Sequence, residues 1–300
     1  MVLIAGGTGR LGTRVVELLT RRQMRVRVLT RDSVRARHLV SDLVEIVEGD
    51  VREATSLQAA SSGVVAVISA IQGFDDPASS PDAIDRKGNG NLINAAHGAH
   101  VDHFVLVSAY GASPDHQMGL CRAKHAAEQL LKQSGLAWTI VRPNPFMEFW
   151  ANLVGKPLLD SGRTQVFGRG NNPINFVSVD DVAKAVETAV VDPNLRQVEL
   201  DVGGPENLTM NQVVEMFERV SGKTGQVSHV PLAAMRILSV VMRPIKPALA
   251  RQIQAGVVMD TSDWTWDPSA NRLRYPWLPQ TPLIEVLRKA SVLNQPESVA

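Results

Sequence analysis

One cysteine, Cys121, is all the thiol that the 300 residues carry. No intramolecular disulfide can form, which fits a reducing compartment, and no cysteine cluster exists to hold zinc. Tyrosine is almost as scarce, with only Tyr110 and Tyr275, so chemistry that needs a phenolic proton has two places to find it. Neither sign of charge is in excess: 31 Lys and Arg stand against 30 Asp and Glu, a net of +1. Nothing global therefore points to nucleic acid or to an acidic surface. Long apolar runs are missing too. The stretch 232–242 is interrupted by Arg236 and closed by Arg243-Pro244, short of the roughly 20 apolar residues that span a bilayer. Val2-Leu3-Ile4-Ala5 follows Met1 directly, without the basic region and longer apolar stretch of a secretory leader. A cytoplasmic protein without a membrane span is expected. Internal repeats and low-complexity segments are also lacking.

What is present is alternation. Short β-branched runs at 2–5, 26–29, 44–47, 64–69, 104–108 and 138–141 are separated by helical patterns at 11–22, 35–43, 56–60, 81–96 and 119–134. The strand runs are continuously apolar, as in a parallel sheet covered on both faces. The expected fold is α/β: a Rossmann doubly wound parallel sheet with helices on both faces. After Arg142 the pattern weakens. Pro143, Pro145 and Pro157 suggest an irregular segment, with short strands at 176–177 and 198–202 and a helix starting at Ser178. Helices are expected at 211–220, 233–242 and 283–290. This gives a core at 1–150 and a smaller C-terminal α/β lobe at 151–300 that shares the cleft and returns some elements to the core.

Between the first strand and first helix lies Gly6-Gly7-Thr8-Gly9-Arg10-Leu11-Gly12. Gly6 allows the tight turn, Gly9 lets backbone approach a pyrophosphate, and Gly12 lets the helix pack close to the sheet. Free N–H groups at the helix start favour phosphate. Thr8, Arg10 and Leu11 belong to the same candidate site. A Walker A loop is excluded, because no Lys-Ser/Thr follows the last glycine.

An acidic residue at the end of the second strand would bind ribose hydroxyls of NADH. Here the strand ends Leu29-Thr30-Arg31-Asp32. With Thr30 at the acidic position, Arg31 is placed to hold a 2′-phosphate, assisted by Arg35 and Arg10, so NADPH/NADP+ is expected over NADH. A one-residue shift would make Asp32 the ribose carboxylate, although Asp32 also suits a helix N-cap. Asp50 and Val51 are placed to flank an adenine. Ser69, Ala70 and Ile71 are placed to line the adenosine ribose. Plain strand-end turns would read the same way.

Other signals have quieter readings. His97, His100 and His103 recur every third residue but straddle a helix end and a strand start, so no metal site is expected. Ser178-x-x-Asp181 reads as a capping box rather than an acid/base pair. In 232–242 the polar residues Arg236, Ser239 and Arg243 form a narrow stripe, which predicts a mostly buried helix. The region 232–266, with Trp264 and Trp266, is alternatively a pocket lid or a docking face for a protein partner.

The chain resembles the atypical short-chain dehydrogenases/reductases of the NmrA-like, NAD(P)-binding branch. The resemblance rests on Gly6–Gly12, Thr30-Arg31-Asp32, Gly49-Asp50-Val51, Phe104-Val105-Leu106-Val107-Ser108, Lys124 with Glu128, the run from Ser134 to Pro143, Phe176–Ala183 and Gly203-Gly204-Pro205-Glu206. It spans roughly residues 1–220. It implies that Ser108 is the active-site serine and that Lys124 is the lysine near the nicotinamide ribose. The family's tyrosine position, four residues before that lysine, is Leu120, which cannot donate a proton. Lys124 itself as acid/base, or Tyr110 reaching in from another side, are the catalytic alternatives; both residues could instead only hold the cofactor or pack. Pro143, Asn144 and Phe146 correspond to a segment that wraps the nicotinamide end. Phe146, Phe149 and Trp150 could form a flat apolar wall for a small-molecule substrate, or simply join the lobes. The expected function is NADPH-dependent reduction of a small conjugated carbonyl or quinone-like compound by hydride transfer. The alternative is a non-catalytic NADP(H)-binding redox sensor or assembly factor, and a nucleotide-sugar epimerase is weaker because it needs the tyrosine.

Overall fold

The apolar runs pair edge to edge in the computed structural model, which describes residues 1–293. Strands β1 (Val2–Ala5), β2 (Val26–Thr30), β3 (Val44–Glu48), β4 (Ala66–Ser69), β5 (His103–Val107), β6 (Trp138–Pro143) and β9 (Val198–Val202) form one sheet in the order β3-β2-β1-β4-β5-β6-β9. Every pairing is parallel, with Val2 opposite Val26 on one side and Ala66 on the other. The chain builds outward from β1 to β3, then crosses to β4 on the opposite side. Loops leaving β1 and β4 therefore diverge, and ligands of open α/β sheets bind at such a divergence.

Alternation along each strand gives both faces something to bury. Leu3, Val67, Phe104, Leu106 and Ile140 pack with Leu57, Leu92, Ala127 and Leu131, which come from α3 (Ala54–Ser61), α4 (Asn89–Gly98) and α5 (Gly119–Lys132). Helix α1 (Arg10–Arg21) buries Val15, Val16 and Leu19 and packs on β1 and β2. Each such aliphatic or Phe side chain stabilises the fold by about 1.5–3 kcal/mol relative to exposure.

The chain separates into two units. The first is Met1–Pro143 with Val182–Val202, and the second is Asn144–Asp181 with the described residues from Gly203 onward. Within the second, β7 (Arg163–Phe167) pairs parallel with β11 (Gln226–Val230), and β8 (Ile174–Asn175) pairs antiparallel with β10 (Asn207–Leu208). Helices α6 (Met147–Ser161), α8 (Met210–Ser221), α9 (Leu232–Val241), α10 (Pro247–Thr261), α11 (Ser269–Arg274) and α12 (Leu283–Leu293) surround these ribbons. Helix α7 (Val179–Val191) carries the chain back toward β9. No helix among the described residues is long and apolar enough to cross a membrane.

Several local expectations are corrected. Helix α2 covers only Ser33–Ala36, with one tighter turn at Arg37–Leu39, because Asp32 starts it earlier than the apolar pattern does. The expected strand at Phe176–Val177 is a single bridge from Val177 to Phe146, while the strand itself lies at Ile174–Asn175. The prolines after Arg142 do not make the segment irregular, since α6 runs through Pro157. Ser178 caps α7, its Oγ accepting from Asp180 N at 3.2 Å, but Asp181 does not complete the capping box. Glu148 accepts from Val179 N at 3.0 Å and from Ser178 Oγ at 3.1 Å, and Asp181 accepts from the N and Oγ1 of Thr281 at 2.7 Å each. The predicted buried helix at 232–242 is mostly exposed: Met235 is its one buried residue.

Candidate dinucleotide site

The glycine turn is built by close approaches. Gly6 has φ +86°, and a Cβ there would stand 2.6 Å from Ala70 O at the end of β4. At Gly12 a Cβ would stand 2.1 Å from Gly6 O and 2.6 Å from Gly7 Cα, so only glycine lets α1 start directly beneath the turn. Gly9 N donates to Gly6 O at 3.0 Å, which closes the turn. Helix α1 begins at Arg10 with no side-chain cap and no acidic residue in its first turn. Its leading N–H groups and positive dipole end are thus left to an anion. Thr8 is half-buried and Arg10 is exposed, whereas Leu11 is buried and can offer a ligand only its backbone. This uncapped cradle at the point where strand order reverses fits a dinucleotide pyrophosphate.

At the end of β2, Thr30, Arg31 and Asp32 have different surroundings. Asp32 Oδ1 accepts from Val34 N at 2.9 Å and Arg35 N at 3.4 Å, so its carboxylate is spent capping α2. Thr30 is buried and donates its hydroxyl to Asp32 O at 3.0 Å. Arg31 remains 53% exposed and pairs with Asp76 at 3.2 Å, while Arg35 is exposed beside it. Asp50 accepts from Nε and Nη2 of Arg52, at 3.0 and 2.5 Å, and that partner holds its carboxyl below the usual carboxylate range. Val51 is buried in the core, and a Cβ on Gly88 would meet its side chain at 2.8 Å.

At the ends of β4 and β5 lies a buried polar network. Ser69 Oγ donates to Asn89 Oδ1 at 2.5 Å, and Asn89 Nδ2 donates to Asp85 O at 2.7 Å. Ala70 N continues the ladder to Ala5 O at 2.9 Å. Lys124 Nζ donates to Ile71 O and Val107 O, both at 2.8 Å, and stands 3.0 Å from Asp85 Oδ1. Asp85 Oδ2 in turn accepts from Gly73 N at 2.8 Å, and burial pushes the Asp85 carboxyl up. One turn further along α5, Glu128 accepts from Ser108 Oγ at 2.5 Å and takes a two-point bond from Arg142 at 2.9 and 2.6 Å. Arg142 also binds Glu199, as does Lys132. Lys124 and Ser108 therefore sit on neighbouring rungs, each tied to a buried carboxylate.

Asp85 and Asn89 escaped the sequence reading. Asp85 lies in a wide-turn helical segment, Asp82–Gly88, and Asn89 opens α4, which continues it. The available signal was their four-residue spacing on the stripe that continues with Leu92 and Ala96, all buried. Tyr110 is half-buried, and its backbone N–H donates to Pro143 O at 2.9 Å. Leu120 is half-buried one turn before Lys124 on α5.

In the second unit Asn144 is buried and donates Nδ2 to Asn175 Oδ1 at 2.7 Å. Phe146 precedes α6 and is half-buried. Phe149 and Trp150 meet edge to face, centroids 5.3 Å apart. Trp150, half-buried like Phe149, also lines a small, partly open pocket with Phe167, Ile174, Met210 and Met259. Trp264 is buried. Of the three histidines, His103 is buried in β5 with Nε2 at 2.9 Å from Thr139 Oγ1. Among the described residues no group of three His, Cys, Asp or Glu is arranged to hold a metal.

Comparison with known proteins agrees with the cradle. The profile of the NAD(P)H-binding family matches residues 6–193. The chain is 30% identical to an NAD(P)H azoreductase of Xenophilus azovorans over 74% of each protein. It is 29% identical to the photosystem II assembly factor Ycf39 of Synechocystis, over 79% of this chain and 72% of that one. Among solved structures it is similar to an NADPH-dependent quinone oxidoreductase from Escherichia coli complexed with NADPH, with TM-score 0.79, 21% identity and coverage of 98% and 100%.

Proposed function

The chain belongs to the NAD(P)H-binding family, and on that premise we propose that it is an NADPH-dependent reductase of the NmrA-like branch, passing hydride to a small conjugated acceptor such as a quinone, an enone or an azo compound. The observation that carries the reading is the uncapped α1 N-terminus beneath Gly6 and Gly12, set where β1 and β4 diverge. The spent Asp32 carboxylate and the exposed Arg31 support NADPH over NADH. Backbone from Gly6 to Gly12 receives the pyrophosphate. Arg31, with Arg10 and Arg35, receives the 2′-phosphate. Asp50 and Val51 border the adenine, and Ser69, Ala70 and Ile71 the adenosine ribose. Ser108, Lys124, Pro143, Asn144 and Phe146 serve the nicotinamide half.

The bound nicotinamide supplies hydride, and the protein orients it and keeps water away. Lys124 donates to Ile71 O and Val107 O and pairs with Asp85, and so holds the strand ends. Ser108 is likewise committed to Glu128. Tyr110, two residues after Ser108, is the proposed proton donor, with solvent as the other source. That bears on substrate class. A quinone or enone that accepts hydride develops charge on an oxygen stabilised by conjugation, which solvent can protonate. A simple ketone needs a placed acid, and Leu120 offers none. Phe146, Phe149 and Trp150 are the proposed apolar surface for the acceptor. A buried lone thiol at Cys121, pushed up to about 12 by burial, suits the cytoplasm.

A second reading, an NADP(H)-binding sensor or assembly factor that binds a protein through 232–266, draws on Leu120 and on the likeness to an assembly factor. Cofactor consumption by the purified chain, measured against quinones, enones and azo dyes after fluorescence establishes binding, separates the two. The reductase reading expects turnover with NADPH exceeding that with NADH, reduced in Tyr110→Phe. Tight NADPH binding with no consumption on any acceptor would overturn it in favour of the sensor.

A further inference from the structure

We propose that α9 and the turn after it form a membrane-surface anchor that docks on anionic lipid. The helix packs on α10 through one buried side chain, Met235, whose Cε lies 3.0 Å from where a Cβ on Gly256 would stand. The rest of it is given to solvent. Ile237 is 66% exposed, Val240 61%, Val241 51% and Leu238 39%, and the following Ile245 is 65% exposed. At 3.6 residues per turn, Ala233, Ala234, Ile237, Leu238, Val240 and Val241 fill one continuous arc of about 160°. Met235 points the opposite way, and Arg236 borders the arc. An apolar face of this width on a surface helix is not left to water without a partner.

Charge identifies that partner. From Arg219 to Met259 the chain carries six Lys and Arg and not one Asp or Glu. Arg236, Arg243 and Lys246, beside the apolar arc, are exposed, and none enters an ion pair among the described residues. A second copy of the chain is a poor occupant. A two-fold contact through this patch would set arginine against arginine with no carboxylate to neutralise them. An anionic bilayer supplies both requirements together: phosphates for the cations at headgroup level, and acyl chains that wrap a broad apolar arc with no matching groove. A helix of this length lies in the interface and does not cross it.

The test is co-sedimentation of the purified full-length chain with vesicles of phosphatidylcholine alone and with vesicles of phosphatidylcholine and phosphatidylglycerol in equal parts. Binding to the anionic vesicles only, weakened by added salt, is expected. Arg236→Gln/Arg243→Gln/Lys246→Gln should weaken it by about fivefold per cation removed, from the roughly 1 kcal/mol that each contributes near such a surface. Ile237→Asn/Val241→Asn should abolish it while the circular-dichroism melting curve stays as in the parent, since both side chains are already in water. No binding to anionic vesicles, or equal binding by Ile237→Asn/Val241→Asn, would overturn the proposal. Concentration-dependent dimerisation without lipid binding, lost in that same variant, would assign the face to a second copy instead.

Discussion

Lys124 Nζ stands 3.0 Å from Asp85 Oδ1, and neither side chain keeps more than 5% of its surface. The pair closes a network that ties α5 and the segment before α4 to the carbonyls of Ile71 and Val107. Removing one partner strands the other charge out of water. Asp85→Asn is therefore expected to cost about 3–5 kcal/mol in urea unfolding. The double change Asp85→Leu/Lys124→Met, which removes both charges, should recover much of that loss. An Asp85→Asn variant as stable as the parent would mean that the two carbonyls alone satisfy the ammonium.

Gly12 makes a sharper demand than Gly9. A Cβ at Gly12 would lie 2.1 Å from Gly6 O, while one at Gly9 would lie 3.3 Å from the same oxygen. Gly12→Ala must move backbone, an overpacking cost of about 1–3 kcal/mol, and should abolish NADPH binding by displacing the cradle. Gly9→Ala should leave the melting temperature nearly unchanged and weaken only NADPH binding. Equal effects of both changes on stability would contradict this ordering.

Arg31 tests the cofactor choice. A guanidinium bond to phosphate contributes about 1.5–3 kcal/mol, so Arg31→Ala should weaken NADPH binding by about 10–100-fold and leave NADH binding unchanged. Titration calorimetry with both cofactors measures the difference. A parallel loss for the two would remove Arg31 from the 2′-phosphate.

His103 sets an acid limit on stability. Thr139 Oγ1 donates to Leu195 O at 2.6 Å, so the ring nitrogen beside it, 2.9 Å away, must be the donor in their contact. Burial pushes the imidazole down from 6.5 to about 4. The folded state thus keeps the ring neutral where the unfolded chain takes up a proton. Stability contributed by this group is complete above pH 6.5 and is lost as pH falls toward 4. The loss reaches about 3 kcal/mol by pH 4, and His103→Gln should flatten that part of the stability–pH profile.

Much of the first unit was legible in the sequence because its strands are buried on both faces and so carry unbroken apolar runs, as at 104–107. Gly6, Gly9 and Gly12 were legible for a related reason: the turn needs missing Cβ atoms, and glycine shows that directly. The buried polar partners were not. Asp85 and Asn89 look like ordinary exposed helix residues until β4 and α5 close over them. Nor did the second unit yield to pattern. Its strands pair as ribbons as short as two residues, Pro157 hides α6, and the exposed apolar face of α9 carries the composition of a buried helix.

The most direct test of the reductase account is a single-turnover comparison of NADPH with NADPH deuterated at C4 of the nicotinamide, mixed with the purified chain and a quinone. Cofactor oxidation well above the uncatalysed rate, and slower with deuterium, is predicted, because the C4–H bond breaks as hydride leaves. Bound NADPH that is oxidised no faster than in free solution, with either isotope, would contradict the account.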